Sequence, residues 1–370
     1  MAYEMGEIFK WHLNYATKDP SQGCQLCALG SKLVLFITGE CHSNCFYCPV
    51  SEERRMDVIF ANEQLITSPS EAIAEAKMIS ALGMGITGGD PGLKINRVTE
   101  YLKAFKKEFG KEFHCHLYTS LPLTEKQLET LFDAGLDEIR FHPPNLKLTK
   151  KMQETIIYAN TLSWEVGFEV PVIPEQKEDL IKIIEFAYKN NLKFVNLNEF
   201  EVTEANYKRL TKKGYHVKDE TSVGVIGSEE LALELLNKYK DRNLILHFCT
   251  AKYKDRVQLK NRLIRRAKNF AKAFDEITEE GLIIRGRIKF IDTSFVERFA
   301  GYLKEDYEVE DNFIELHKKA GYLFTAWYIV EELADELAER FSGKIESIEI
   351  IHQYPYEEGI IVYVEPLFEI

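Results

Sequence analysis

No apolar run in this chain approaches the ~18 residues that a bilayer-spanning helix needs. The opening stretch, MAYEMGEIFKWHL, lacks the basic start and long apolar segment of a secretory leader. Both absences predict a cytoplasmic protein with no membrane partner. No low-complexity tract or fixed-period repeat is visible, which excludes fibrous and solenoid architectures. Cysteine is scarce and odd in number, seven in 370 residues, which argues against a disulfide framework. An excess of positive charge is lacking too: the net charge of −12 disfavours nucleic acid as a partner of the whole chain. What is present is ordinary globular composition, 45% apolar and 29% charged, long enough for one large domain and a small one.

Short β-branched runs alternate with amphipathic stretches. Strands are predicted at Lys32–Thr38, Met84–Thr87, Phe113–Thr119, Glu138–His142, Glu165–Val172, Phe194–Phe200 and Leu244–Phe248. Helices are predicted at Ser70–Leu82, Arg97–Phe109, Glu125–Ala134, Lys177–Asn190 and Glu229–Lys240, with Thr124 and Gln127 forming a capping box. This spacing matches βαβ units and a parallel sheet, either a partial or complete (β/α) barrel or a doubly wound sheet. After residue 281 the pattern changes to a strand at Gly281–Phe290, helices at Asp311–Ala320 and Ala326–Phe341, and strands at Ser347–Tyr354 and Gly359–Val364. Glu357-Glu358-Gly359 reads as the turn between the last two. The expected organisation is an extension at 1–29, an α/β barrel at 30–250, a basic helix at 251–280 and a small α+β domain at 281–370.

Five of the seven cysteines fall between positions 24 and 48. Cys41, Cys45 and Cys48 follow the first strand with C-x3-C-x2-C spacing. Three thiolates on one tight loop can reach three corners of an iron–sulfur cubane and leave one iron open for chemistry, as a catalytic zinc keeps an open position. A zinc site, or plain core thiols, is the alternative. The second strand ends in Gly88-Gly89-Asp90-Pro91, where glycines admit close approach of a ligand to the backbone.

These two elements, with Tyr47 just before the last cysteine, resemble the signature of the radical S-adenosylmethionine (SAM) superfamily over roughly residues 30–200. Asp90 departs from the usual Glu of that family's GGEP motif. The resemblance implies a TIM-like barrel and a [4Fe–4S] cluster on Cys41, Cys45 and Cys48. It also implies SAM bound at the open iron and cleaved to a 5′-deoxyadenosyl radical that abstracts hydrogen from substrate. A ferredoxin or flavodoxin-like reductant would supply the electron. Tyr47, Gly88, Gly89, Asp90 and Pro91 would seat SAM, joined by Thr119, Glu169, Asn196 and Asn198 at later strand ends. More loosely, the chain is similar to an archaeal branch related to pyruvate formate-lyase activating enzymes, which also carries the upstream C-x2-C.

A second metal centre is suggested by Cys24 and Cys27, with His247 and Cys249 on one side of the last barrel strand. Such a Cys3His set suits structural zinc; the same residues, or the cysteines with an exogenous ligand, suit an auxiliary iron–sulfur cluster. Cys27 precedes the first strand, which places it near the opposite barrel end from Cys249 unless the 20–31 segment runs along the barrel. Cys115 falls on the strand face opposite His114 and His116 and is expected in the core.

Residues 250–274 carry nine Lys or Arg against one Asp, a local +8 that leaves −20 for the rest. The basic residues of 252–272 lie beside an apolar helical stripe of Leu259, Leu263, Ala267 and Phe270. Three functions follow. One is a radical SAM enzyme acting on RNA or a phosphorylated substrate through this segment. The second acts on a protein glycine or small metabolite. The third is a non-catalytic module stabilised by metal.

Overall fold

The computed structural model describes residues 8–219, 222–357 and 359–370. The expected turn at Glu357-Glu358-Gly359 includes Glu358, which lies outside the described residues, as do residues 1–7 of the N-terminal extension. The chain divides into two units, one of residues up to 77 and 81–259, the other of 78–80 and 260–370.

The first unit opens with the hairpin β1 (Phe9–Trp11) and β2 (Asn14–Ala16), the short helix α1 (Gln22–Ala28) and β3 (Lys32–Phe36). The cysteine loop follows, then the hairpin β4 (Ile59–Ala61) and β5 (Gln64–Ile66), and α2 (Pro69–Met78). Strands and helices then alternate: β6 (Gly83–Thr87), α3 (Ile95–Phe109), β7 (His114–Thr119), α4 (Glu125–Asp133), β8 (Glu138–Phe141), α5 (Lys150–Ala159), β9 (Glu165–Val172), α6 (Lys177–Lys189), β10 (Phe194–Glu199), α7 (Tyr207–Lys212), α8 (Ser228–Tyr239) and β11 (Ile245–Cys249). The one-turn α9 (Ala251–Tyr253) runs into a π-helical stretch at Lys254–Leu259.

Among the described residues seven strands pair in parallel in the order β3-β6-β7-β8-β9-β10-β11. Consecutive order without reversal is that of a singly wound barrel; a doubly wound sheet would reverse at a switch point. Among the described residues the sheet stays open, with β1 and β5 at its edges, so the barrel is partial rather than complete. The capping box is present, with Thr124 N–H donating to Gln127 Oε1 at 2.9 Å and Gln127 N–H to Thr124 Oγ1 at 3.3 Å.

Alternation along each strand separates two chemistries. One side is apolar and fully buried: Leu33 and Leu35, Met84 and Ile86, Leu117, Ile139 and Phe141, Phe168 and Val170, Val195 and Leu197, Leu246 and Phe248. Cys115 belongs to this side, as its register predicts. The other side carries Lys32, His114, His116, Glu138, Arg140, Glu169, Asn196 and His247, with Gly83, Gly85 and Gly167 between them.

The glycines make room inside the concave face. A Cβ on Gly85 would meet the His116 ring at 2.6 Å, and one on Gly167 the Phe194 ring at 2.4 Å. Helix α1 lies on this polar face: a Cβ on its Gly23 would reach Arg140 Nη2 and His116 Nδ1, each at 2.6 Å. Gly23 N–H also donates to Glu138 Oε2 at 3.3 Å. The 20–31 segment therefore runs within the barrel, which removes the geometric objection to bringing Cys27 toward Cys249.

The second unit holds α10 (Lys260–Phe270), β12 (Glu276–Ile277), β13 (Ile283–Phe290), α11 (Phe295–Asp306), β14 (Glu315–His317), β15 (Tyr322–Thr325), α12 (Trp327–Arg340), β16 (Ile345–Gln353) and β17 (Ile361–Glu369). Its antiparallel sheet runs β14-β15-β13-β16-β17, with β12 on β13 and β17 at an exposed edge. The core packs Ile288, Val296, Phe299, Leu303, Val330, Leu337 and Ile348.

Two expectations are corrected here. The helix predicted at Asp311–Ala320 is a 3-10 turn at Asp311–Phe313 followed by β14, because pairing of Glu315–His317 with β15 overrides local propensity. Helix α11 arises where no helix was expected; it buries Val296, Phe299, Ala300 and Leu303 on one face. Phe299→Ala should cost about 3–5 kcal/mol of this unit's stability in a urea melt, as truncation of a fully buried aromatic does. A loss below about 1 kcal/mol would contradict the packing.

Candidate active site

The loop from Gly39 to Val50 emerges from β3 and is held by backbone contacts to the next strand. Gly89 N–H donates to Thr38 O at 2.7 Å and Asp90 N–H to Glu40 O at 2.7 Å. Side chains are excluded from this seam. A Cβ on Gly88 would lie 2.3 Å from Thr38 O, one on Gly89 2.2 Å from Glu40 O, and one on Gly39 1.7 Å from Arg54 O. Gly88 also has φ +154°, a conformation side chains rarely adopt.

Asp90 closes the seam from below. Its carboxylate accepts from Gly92 N–H (2.9 Å), Thr119 Oγ1 (2.8 Å), Ser120 N–H (2.7 Å) and the Ser120 hydroxyl. It is 1% exposed, so this carboxylate joins the ends of β6 and β7 instead of facing a ligand. Gly88, Gly89, Pro91 and Thr119 do line the adjacent cavity.

The loop's outer side is clamped by Asp57. Its carboxylate takes bonds from both Arg97 Nη groups, Lys94 Nζ (3.0 Å) and Thr38 Oγ1 (2.8 Å), while Arg97 also reaches Ile37 O at 2.9 Å. The Arg97 guanidinium, against a small burial penalty, holds Asp57 far below the usual carboxylate range, with Thr38 and Lys94 adding to it. On the far side Asn206 Nδ2 donates to Tyr47 O at 3.0 Å, and Arg209 donates to Phe46 O (3.1 Å) and Cys48 O (3.0 Å). Within the loop Cys48 N–H bonds Cys45 O at 3.1 Å and Ser43 N–H bonds Cys41 Sγ at 3.3 Å.

Cys41, Cys45 and Cys48 line one cavity of about 920 Å³ together with the glycine seam, Tyr47, Glu169, Asn196 and Asn198. The Tyr47 hydroxyl bonds His142 Nε2 at 2.9 Å and accepts from Asn145 N–H at 3.1 Å. His142 turns its Nδ1 to Glu169 O at 2.9 Å; burial lowers its pKa, so the ring is neutral and donates through Nδ1 to that carbonyl.

The floor of the cavity is a buried ion network that sequence reading missed. Arg140, 2% exposed, bonds the Glu138 carboxylate, Glu169 Oε2 (2.6 Å), Tyr118 OH (3.1 Å), Ser21 Oγ (3.1 Å) and Cys24 Sγ (3.5 Å). Burial alone would raise the Glu169 pKa. Arg140 and the Asn198 amide at 3.0 Å outweigh it and hold Glu169 below its ordinary value, hence ionised. The signal available in the sequence was the alternation of Glu138 and Arg140 in a four-residue strand, where two charges on one face need buried partners.

Cys24, Cys27, His247 and Cys249 line the same cavity. Both ring nitrogens of His247 are engaged, however. Asn14 accepts Thr250 N–H at its Oδ1 (2.8 Å), so its Nδ2 donates to His247 Nε2 (3.2 Å). Asn196 donates through Nδ2 to Cys24 and Glu169, so its Oδ1 accepts from His247 Nδ1–H (3.4 Å). Burial lowers this histidine to about 3, so it is neutral.

Among the described residues, His114, His116 and Glu138 bring ligand atoms within 4.8 Å of one another. Lys32 Nζ stands 3.4 Å from His116 Nε2, and Arg140 pairs with Glu138, so two cationic heads already serve this corner.

The sequence profile of the radical SAM superfamily matches residues 35–144, and that of a domain of unknown function (DUF8061) matches 281–367. A Methanocaldococcus jannaschii protein named "Putative glycyl-radical enzyme activating enzyme" is 41% identical over 358 residues, 94% of this chain and 92% of that protein. Solved structures include Streptococcus suis SuiB bound to S-adenosylmethionine, with TM-score 0.44 and 14% identity, covering 60% of this chain and 50% of SuiB. Methylornithine synthase (PylB) gives TM-score 0.42 and 13% identity, covering 61% and 72%. The chain thus spans about half the length of SuiB. The chain belongs to the radical SAM superfamily and is an enzyme of that class, with a partial α/β barrel. Membership implies a [4Fe–4S] cluster and SAM as cofactors. No helix among the described residues is long and apolar enough to cross a membrane.

Gly89→Ala should push the cysteine loop off the β6 end and lower reconstituted iron several-fold without altering far-ultraviolet dichroism. Full iron loading would contradict the close approach. Asp57→Asn should lower the melting temperature at pH 7. Because the Asp57 pKa is depressed, its contribution is present above the unfolded value of ~3.9 and fades below it, so the gap to the parent should narrow below about pH 4. A gap constant from pH 7 to pH 2 would refute the clamp.

Proposed function

We propose that Cys41, Cys45 and Cys48 hold the catalytic [4Fe–4S] cluster and that Tyr47, Gly88, Gly89 and Pro91 bound the SAM site. The observation that carries this reading is the opening of all three thiols and the glycine seam onto one cavity. The donor set fits the group: three thiols from one loop leave a cubane corner for an outside ligand. Burial raises the Cys45 pKa against the Asn145 and Tyr47 bonds, a cost that coordination to iron would offset. Bound there, cluster and SAM supply a 5′-deoxyadenosyl radical able to take hydrogen from substrate. Arg209, Asn206 and the Asp57 clamp fix the loop. His142 orients the Tyr47 phenol. Glu169, kept ionised and carried by Arg140, offers acceptor oxygens for hydroxyl or ammonium groups, and Asn196 and Asn198 aim it. Asp90 acts through the backbone it positions.

For substrate we favour a peptide glycine or a small metabolite over RNA. The basic segment supports RNA less well than its composition suggested. Lys254 pairs with Glu201 at 2.8 Å, Arg265 donates to the carbonyls of Ile79 and Ser80, and Arg266 donates to Pro355 O at 2.7 Å over the Tyr356 ring. The similarity to a protein named as a glycyl-radical activating enzyme favours glycine. The 281–370 region is read as an accessory module.

Reduced, anaerobically reconstituted protein should release 5′-deoxyadenosine from SAM, and Cys45→Ala should abolish both the release and the iron at that site. Retained cleavage would end the assignment. Protein substrates labelled with α-deuterated glycine should place deuterium in the 5′-deoxyadenosine; deuterium arriving only from labelled RNA would overturn the substrate class.

A further inference from the structure

We propose that Cys24, Cys27 and Cys249 hold a second iron–sulfur cluster inside the barrel, with one iron left open to the cavity shared with the Cys41–Cys48 loop. This goes beyond the SAM-binding reading and does not depend on the substrate.

Placement is the first argument. Cys24 and Cys27 are three apart on α1, so both sulfurs lie on one helix face. That helix lies on the polar concave side of the sheet, tied there by Ser21 and Gly23 to Glu138. Cys249 ends β11 on the same side as His247, two residues before it, and pairs in register with Asn198 of β10. Cys249 packs with Ala28 of α1 and with Tyr253. All three thiols line the cavity, and all are free.

The surroundings suit a thiolate-bound anionic cluster. Cys24 Sγ receives two hydrogen bonds, from Arg140 Nη2 at 3.5 Å and Asn196 Nδ2 at 3.4 Å. Arg140 is 2% exposed and Asn196 1%. Buried donors aimed at sulfur stabilise the deprotonated ligand and tune a cluster.

Ligand count distinguishes the cluster from structural zinc, which closes with four protein ligands. Three thiols fall one short of that set and suffice for three corners of a cubane. With His247 bonded at both nitrogens, the cubane retains three protein ligands, and its fourth corner opens where the thiols do, onto the cavity. An iron exposed there can take an amine, carboxylate or thiolate of substrate, which gives the site a ligand-holding role beside the SAM pocket.

The test is the C41A/C45A/C48A variant, reconstituted anaerobically with iron and sulfide. It should keep about four irons and four sulfides per chain, as one [4Fe–4S] cluster requires. Its reduced electron paramagnetic resonance signal should shift when potassium cyanide is added. Loss of essentially all iron, or about one zinc in its place, would overturn the proposal; an unshifted signal would overturn the open corner. Should that variant not fold, C24A/C27A/C249A in the otherwise intact chain reads the same question. Iron should fall from about eight to about four per chain, with C115A unchanged. Undiminished iron would sink the assignment. Failure of the SAM-site reading would instead show as iron unaffected by removal of Cys41, Cys45 and Cys48.

Discussion

The buried guanidinium of Arg140 is the interaction on which this barrel is organised. It binds two carboxylates, Glu138 of its own strand and Glu169 of the neighbouring β9, and reaches Ser21 and Cys24 of the α1 segment. A cation this deep is tolerable only when every donor is matched. Removing one partner of such a network costs about 3–5 kcal/mol, because the remaining charge stays buried. The network therefore does more than stabilise. It anchors a helix across the inside of an open sheet, where a hydrophobic plug would have left no polar floor for a cofactor.

A second constraint acts at the mouth. The cysteine loop and the β6 end approach so closely that no side chain fits between them, which explains Gly88 and Gly89 without appeal to a ligand, while the Arg54 and Met56 carbonyls exclude a side chain at Gly39. Asp90 then links that seam to β7 through Thr119 and Ser120. The shorter aspartate in place of the family's usual glutamate bonds Gly92 N–H and caps the turn at Pro91–Lys94. Loop, seam and floor form one connected scaffold, so the thiols of Cys24, Cys27, Cys41, Cys45, Cys48 and Cys249 face a common space.

Much of this was readable from residues alone. Hydrophobic alternation located all seven parallel strands to within two residues, because buried parallel strands with intervening amphipathic helices leave strong periodicity. The C-x3-C-x2-C and Gly-Gly-Asp-Pro elements were readable because their chemistry demands those residue types. The hidden features were long-range. Nothing local in Gly23 or Ser21 says that α1 lies inside the sheet; that follows from Glu138 and Arg140, more than a hundred residues away. His247 meets its two ring partners, Asn14 and Asn196, 233 and 51 residues away in sequence. In the second unit, strand pairing with β15 overrode the helical pattern of 311–320, and α11 was missed although its apolar face packs the core.

The last strand of the second unit has a consequence of its own. Among the described residues β17 leaves Val362, Tyr363 and Val364 exposed along an unpaired margin of the sheet. Such a margin invites docking by foreign strands. Pro366 removes one amide from the row, and the pairing with β16 slips at two points, between Ile348 and Glu349 and between His352 and Gln353. A missing donor and two kinks deny an approaching β-strand the straight, uninterrupted ladder that amyloid-like stacking requires.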